Sequence, residues 1–280
     1  MTKLIWLSDL HFDASDTVYG FDTESRLLAA IDYVNERYSN AAACIISGDL
    51  VDRGTRADYK KLSLLLAALK VPVLPLAGNH DDRVLLREHL SLPATAMTNF
   101  IQYHVDLEQF ALLCLDSQRT GSDAGTICND RGGWLEEQLA SLKDRSVIIF
   151  MHHPPMELGL PMQDETCLEN GAAFLRLISK HGNVRLLCCG HVHRPASGVV
   201  ANMPFATLRS AMYQAPAPVP EWSWADFKPA PEAPQLGVLE LRDYGVTVQY
   251  HDFCRPEFGL IETSARQDGV SIGGSNLAQA

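Results

Sequence analysis

The sequence predicts an α/β protein, and three observations carry that expectation. Five short hydrophobic runs read as buried strands: Leu4-Ile5-Trp6-Leu7, Ala43-Cys44-Ile45-Ile46, Val73-Leu74-Pro75-Leu76, Val147-Ile148-Ile149-Phe150 and Leu186-Leu187-Cys188-Cys189. The first three alternate with helical patterns, as parallel β-α-β units do. Residues 101–105 with 110–115, and 237–241 with 246–251, have the form of two hairpins. Such hairpins fit a second, mixed sheet better than one continuous parallel sheet.

Helical spacing accounts for the longer segments between strands. Residues 26–38 place Leu27, Leu28, Ile31 and Val34 on one helical face, with Asp22 or Thr23 available as cap. Thr55-Arg56-Ala57-Asp58 resembles a capping box with Asp in the Glu position. It opens a helix whose apolar face, Leu62, Leu65, Leu66 and Leu69, runs to Lys70, and Pro72 bars its continuation. Shorter helices are expected over 82–90, over 133–143 with Trp134, Leu135, Leu139 and Leu142 inward, and over 168–180. Residues 215–234 are rich in Pro and Ala with Trp222 and Trp224 inserted. They are read as irregular, within a Pro-rich excursion, 195–235, that serves either as a cap or for dimerisation. Residues 1–255 are expected to form one catalytic domain and 256–280 a mobile tail.

Composition narrows the function. A chain of 280 residues with 46% hydrophobic and 20% charged content can bury a full core and has the make-up of a soluble globular protein. No apolar run approaches the roughly 20 residues of a spanning helix, so no membrane association is expected. The first residues carry a single Lys3 and run straight into a strand, unlike a cleavable signal. Seven cysteines lie mostly inside apolar runs with no Cys-x-x-Cys pair, which suits a reducing compartment and gives a thiolate zinc site little support. A cytoplasmic location is the expectation. The net charge of −11 disfavours long nucleic acid as a partner, although metal ions could supply the local positive charge for a small anion. The tryptophans of the excursion could bury the interface of a homo-oligomer.

The residues at the strand ends point to chemistry. Asp9-Leu10-His11, Gly48-Asp49, Gly78-Asn79-His80-Asp81, His152-His153 and Gly190-His191-Val192-His193 come directly after the five runs. A buried strand delivers the residues at its carboxyl end to the rim of the sheet, where open α/β sheets bind ligands. Seven oxygen and nitrogen donors converging there are enough for two metal ions. On an extended segment Asp9 and His11 share a face and can chelate one ion together, and His191 and His193 repeat that spacing. Asp49, leaving its strand between them, is the natural bridging carboxylate; Asn79 offers an amide oxygen to the second ion, and His152 completes the set.

The ordered set Asp9-x-His11, Gly48-Asp49-x-x-Asp52-Arg53-Gly54, Gly78-Asn79-His80-Asp81, His152 and Gly190-His191-x-His193 resembles the calcineurin-like metallophosphoesterases. Tyr19-Gly20-Phe21 and residues 78–82, 134–139, 150–155 and 169–171 are similar to the class III cyclic nucleotide phosphodiesterases and bacterial glycerophosphodiesterases of that group. The resemblance implies a four-layer α/β/β/α sandwich of two mixed sheets with a dinuclear site at the rim between them. It implies Asp9, His11 and His193 on one ion, Asn79, His152 and His191 on the other, and Asp49 on both. The pair would be drawn from iron, manganese, zinc or cobalt. The implied reaction is hydrolysis of small phosphodiesters, cyclic nucleotides or glycerophosphodiesters, by in-line attack of hydroxide held by the metals.

Beyond the ligands, His80 stands beside Asn79 and is placed to meet a phosphate oxygen or the leaving group as donor or acid. Asp52 resembles the family carboxylate that orients this histidine. Arg53 is a candidate phosphate contact or a solvent-facing cation, and His153 a candidate for supporting a ligand or touching substrate. Tyr19, Phe21, Met156, Tyr213, Trp222 and Trp224 could stack a base or close over a small alcohol. A phosphomonoesterase is the alternative, supported by Asp52-Arg53-Gly54. A non-catalytic scaffold should have lost ligands, and none is missing.

Overall fold

In a computed structural model, residues 1–219 and 223–260 are described. The chain order is β1 (Thr2–Leu7), α1 (Thr23–Arg37), β2 (Ala43–Ile46), α2 (Arg56–Leu66), β3 (Val73–Pro75), α3 (Arg83–His89), β4 (Tyr103–Leu107), β5 (Phe110–Cys114) and α4 (Asn129–Ser141). The chain continues through β6 (Ser146–Met151), α5 (Pro161–Asp164), α6 (Gly171–Ser179), β7 (Val184–Cys189), β8 (Ser197–Val200), β9 (Met203–Thr207), β10 (Gln235–Arg242) and β11 (Gly245–Asp252).

Two mixed sheets result, ordered β11-β10-β1-β2-β3 and β4-β5-β6-β7-β9-β8. Both expected hairpins form, but they part company: β4-β5 joins the second sheet, whereas β10 pairs antiparallel with β1 and brings β11 to the edge of the first. Leu239, buried opposite Leu4, shows why, since β10 completes the apolar face that β1 offers.

The sheets pack face to face. Trp6 of β1 lies edge-on to Phe150 of β6 at 5.9 Å, and its indole N–H donates to Ser47 Oγ at 2.8 Å. Tyr103 on β4 donates to the Pro75 carbonyl at 2.8 Å, tying the second sheet to the first. Helices α4 and α6 cover the outer face of the second sheet with Leu135, Leu139, Phe174 and Ile178, while α1 and α2 cover the first with Leu27, Ile31, Leu62 and Leu66. This is the four-layer α/β/β/α arrangement. Strands buried on both faces explain the near-continuous apolar runs.

Several expectations need correction. Helix α4 starts at Asn129 rather than at 133, because Arg131 is buried and donates to the carbonyls of Asp116 and Gln118, anchoring the first turn despite Gly132-Gly133. Ahead of the stretch read as irregular, the 195–235 excursion opens with β8 and β9, which extend the second sheet. Residues 256–260 are tied to the domain through their backbone. The buried Arg26 guanidinium donates to the carbonyls of Met212, Pro256 and Phe258 and lies 3.7 Å over the Phe21 ring, and Leu260 bridges to Phe21. Trp222 and the rest of the expected tail lie outside the described residues. Among those described, no helix is long and apolar enough to cross a membrane.

Candidate metal centre

All five polar runs meet at one rim, and the backbone there is unusual. Asp9 (φ 54°), His11 (39°), Asp49 (48°), His191 (72°) and His193 (50°) are left-handed, a conformation side chains beyond glycine seldom adopt. The extended Asp-x-His geometry is therefore corrected: each strand turns sharply at its end and swings its side chain inward. Backbone bonds fix the turns, with Asp9 N–H donating to the Gly48 carbonyl and His11 N–H to the Asp49 carbonyl, both at 3.0 Å. Glycine neighbours make room: a Cβ on Gly78 would overlap the Asp49 carboxylate and amide, and one on Gly48, itself at φ 100°, would overlap the His152 ring.

The side chains form two triangles. Asn79 Oδ1, His152 Nε2 and His191 Nδ1 stand 3.1, 3.1 and 3.2 Å apart. His193 Nε2 stands 3.1 Å from His11 Nε2 and 3.3 Å from an Asp9 carboxylate oxygen. Asp49 Oδ2 lies between them, 3.3 Å from His152 Nε2 and 3.6 Å from His11 Nε2. Donors about 2.1 Å from a first-row ion are spaced by roughly 3.0–3.4 Å in octahedral or tetrahedral arrangement. The donor set thus fits one ion per triangle, with Asp49 shared. His11 Nε2 and His193 Nε2 make the same point: with each Nδ1 donating to an oxygen, two acceptor nitrogens face each other at 3.1 Å, an approach a cation between them would relieve.

Electrostatics agree. Burial pushes His11 and His191 down, His191 to about 3, so both keep a free lone pair. Burial also disfavours charge on His152, but the Asp49 and Asp9 carboxylates overcome it and raise this ring to about 9. A metal would have to displace that proton. Against its burial, Asp9 is held down at about 2 by His193 and His152.

Each ligand ring is fixed from behind. Asp52 Oδ1 is 3.1 Å from His11 Nδ1, the Ser47 carbonyl 2.9 Å from His152 Nδ1, and the Tyr213 carbonyl 2.8 Å from His193 Nδ1. Thr166 Oγ1 is 2.8 Å from His191 Nε2. Such partners orient the ring and set its tautomer. Above the donors opens a cavity of about 320 Å³ whose lining includes His80, Asp123, Gln163, Tyr19, Tyr213, Trp224 and Phe227.

The family model for calcineurin-like phosphoesterases matches residues 2–195. The chain belongs to that family. A probable cyclic nucleotide phosphodiesterase of Rhodopseudomonas palustris is 32% identical over 216 residues, 76% of this chain and 79% of that protein. The glycerophosphodiester phosphodiesterase GpdQ of Enterobacter lignolyticus is 31% identical over 76% of this chain and 78% of its own. Among solved structures, a dimetal phosphatase from Danio rerio shares the fold, with a TM-score of 0.69 at 15% identity, covering 91% of this chain and 97% of that one.

Within this calcineurin-like phosphoesterase, the structure redistributes the remaining candidates. His80 lines the cavity; it is the backbone carbonyl of Asp52 that takes its Nδ1–H, at 2.7 Å, while the Asp52 carboxylate holds His11. Arg53 turns away to the Asp13 carboxylate at 2.6 Å and does not line the cavity. His153 is fully buried, its ring nitrogens 2.8 Å from Ser117 Oγ and 3.0 Å from the Asp123 carbonyl, which leaves it a supporting position rather than a substrate contact. Tyr19, Tyr213 and Trp224 reach the cavity; Phe21 instead packs with Val18 and Met212 beneath it. Sequence reading missed Thr166 and Phe227, which sit in irregular segments, and Gln163, whose helix α5 is too short to show periodicity. It named Asp81 within its motif but gave it no role; this residue is buried and accepts from Tyr59, Gly78 and Leu50, and its carboxyl is pushed up to about 7 by burial and Asp49.

Proposed function

We propose that the chain is a phosphodiesterase that uses two metal ions to hydrolyse small diesters, cyclic nucleotides or glycerophosphodiesters. One observation carries the choice of diester over monoester: among the described residues lining the cavity there is no Lys or Arg. A monoester brings a charge of about −1.5 to −2 at neutral pH, and sites for it commonly add cationic clamps beyond the metals. A diester is a monoanion and needs none. The family relatives named as phosphodiesterases favour the same reading.

In this reading Asp9, His11 and His193 hold one ion, Asn79, His152 and His191 the other, and Asp49 both. Ions so held would act as Lewis acids toward the phosphate and make water acidic enough to serve as nucleophile near neutral pH. Nitrogen and oxygen donors suit iron, manganese, zinc and cobalt alike. His80 opposes its burial with the nearby Asp49 carboxylate and the Asp52 carbonyl, which raise its affinity for a proton. With Nδ1–H committed to the Asp52 carbonyl, it is the protonated form of the ring that can donate through its other nitrogen to the departing oxygen. Asp52 fixes His11, and Asn79 both ligates and faces substrate. Seven unpaired cysteines favour a reducing compartment, the cytoplasm.

The test compares bis(p-nitrophenyl) phosphate with p-nitrophenyl phosphate after manganese loading. A larger kcat/KM for the diester is expected; a larger value for the monoester refutes the choice.

A further inference from the structure

The outer half of the cavity is built unlike the metal-facing half. Four aromatic rings run in contact along one wall: Tyr213 to Tyr19 at 4.7 Å between centroids, Tyr19 to Phe227 at 5.3 Å, and Phe227 to Trp224 at 5.7 Å. The inner end of this row, Tyr213, lies 4.4 Å from the His193 ring, so the wall begins at the metal centre. Its outer members face solvent, Tyr19 being 54% and Trp224 50% exposed. A contiguous row of half-open aromatic rings at a cavity rim is the kind of apolar patch that marks a ligand-binding surface.

The position of Tyr19 is enforced. It stands at φ 50° beside Gly20 at φ 81°, in a two-residue turn closed by Val18 and Phe21 bonding each other through their backbones. Phe21 is clamped in turn by Arg26. A tyrosine held left-handed at the tip of a clamped turn is presented, not incidental.

Gln163 supplies the second, independent observation. It is 8% exposed and lines the same cavity, yet its side-chain amide has no hydrogen-bond partner among the described residues. An amide that lines the cavity and makes no bond to the described protein is free to bond an occupant. Asp123 lines the cavity as well.

From these features we infer that the outer cavity is a subsite for a flat, hydrogen-bonding ring on the substrate, stacked on the Tyr19–Tyr213–Phe227–Trp224 wall and bonded at its edge by Gln163. The matching class is a nucleoside phosphodiester, whose base has both a π-face and polar edges. A glycerophosphodiester offers no ring to the wall. The inference rests on the phosphodiesterase reading above.

The test measures, for the manganese-loaded full chain, the ratio of kcat/KM for 3′,5′-cyclic AMP to that for glycerophosphoethanolamine. A ratio is insensitive to the folded fraction of a variant. Trp224→Ala and Tyr19→Ala should each lower it about tenfold, the scale of one lost stacking contact, while Tyr19→Phe preserves it and Gln163→Ala lowers it. An unchanged ratio in the alanine variants overturns the subsite. Hydrolysis of neither diester by the wild-type protein sinks the phosphodiesterase reading instead. The subsite is then judged by calorimetric binding of AMP against glycerol 3-phosphate: tighter AMP binding lost in Trp224→Ala supports it, and equal binding overturns it.

Discussion

Replacing Asp52 by Asn separates two roles that one carboxylate could play. The carboxylate oxygen lies 3.1 Å from His11 Nδ1, and His11 is 1% exposed. The other ring nitrogen, Nε2, points at His193 and Asp49. Asp52 therefore fixes the tautomer that aims a lone pair into the Asp9–His11–His193 triangle. Loss of such a partner costs about 10–100-fold in metal affinity, or roughly 1.4–2.7 kcal/mol. Asn can still accept through its amide oxygen and should fall near the low end. Asp52→Ala leaves a buried N–H without an acceptor, adding a penalty of about 1–3 kcal/mol. Manganese titration by calorimetry should show one of two sites weakened, with the Asn79–His152–His191 site unchanged. Two sites of wild-type affinity with lost turnover would refute this reasoning and return Asp52 to a role through His80.

Other expectations arise from neighbouring contacts. His80→Ala should lower turnover about 10²–10⁴-fold, the usual contribution of a general acid, while metal stoichiometry stays at the wild-type value by elemental analysis; loss of metal would make His80 structural. Gly78→Ala should force the Asp49 carboxylate and amide aside at about 1–3 kcal/mol of overpacking, and thermal unfolding together with metal content would report both effects. Ser210→Ala removes a hydroxyl that donates to the Asp9 carbonyl at 2.7 Å and accepts from Met212 N–H at 2.7 Å. It should cost about 2–4 kcal/mol in denaturant unfolding, because more than one buried group is left unpaired. A loss below about 0.5 kcal/mol, the scale of an inert surface change, would refute it.

The legible part of the fold is the part buried on both sides. The carboxyl-terminal halves of β1, β2, β6 and β7 are apolar because they are buried on both faces, and the candidate ligands other than Asn79, which follows β3, are legible because they sit at the ends of these strands. The β8 strand escapes sequence reading for the opposite reason: Ser197, Gly198 and Val199 are exposed, so the run has no buried face to give it a pattern. The partners of the ligands are hidden too. Thr166 lies 25 residues from His191 in sequence and in an irregular loop, and nothing local marks a threonine as the neighbour of a distant imidazole. Asp52 is legible as a site residue but not in its role, since a side chain and its own carbonyl can serve two different histidines and only coordinates tell them apart.

The left-handed ligands explain why so much of the rim is over-determined. Each such residue costs about 1–3 kcal/mol, and five of them share one site, against a total stability on the order of 5–15 kcal/mol for a domain. Strain of that size persists only where surrounding bonds leave no alternative. Around Asp9 those bonds are explicit: its N–H goes to Gly48, its carbonyl takes the Ser210 hydroxyl, and its carboxylate accepts the His191 N–H at 3.1 Å. That last bond joins the end of β1 to the end of β7, strands of different sheets. The sandwich thus does more than carry the ligands. Packing of one sheet on the other holds the ends of β1, β2 and β7 in turns that they would not adopt alone, and so sets the donors at metal spacing.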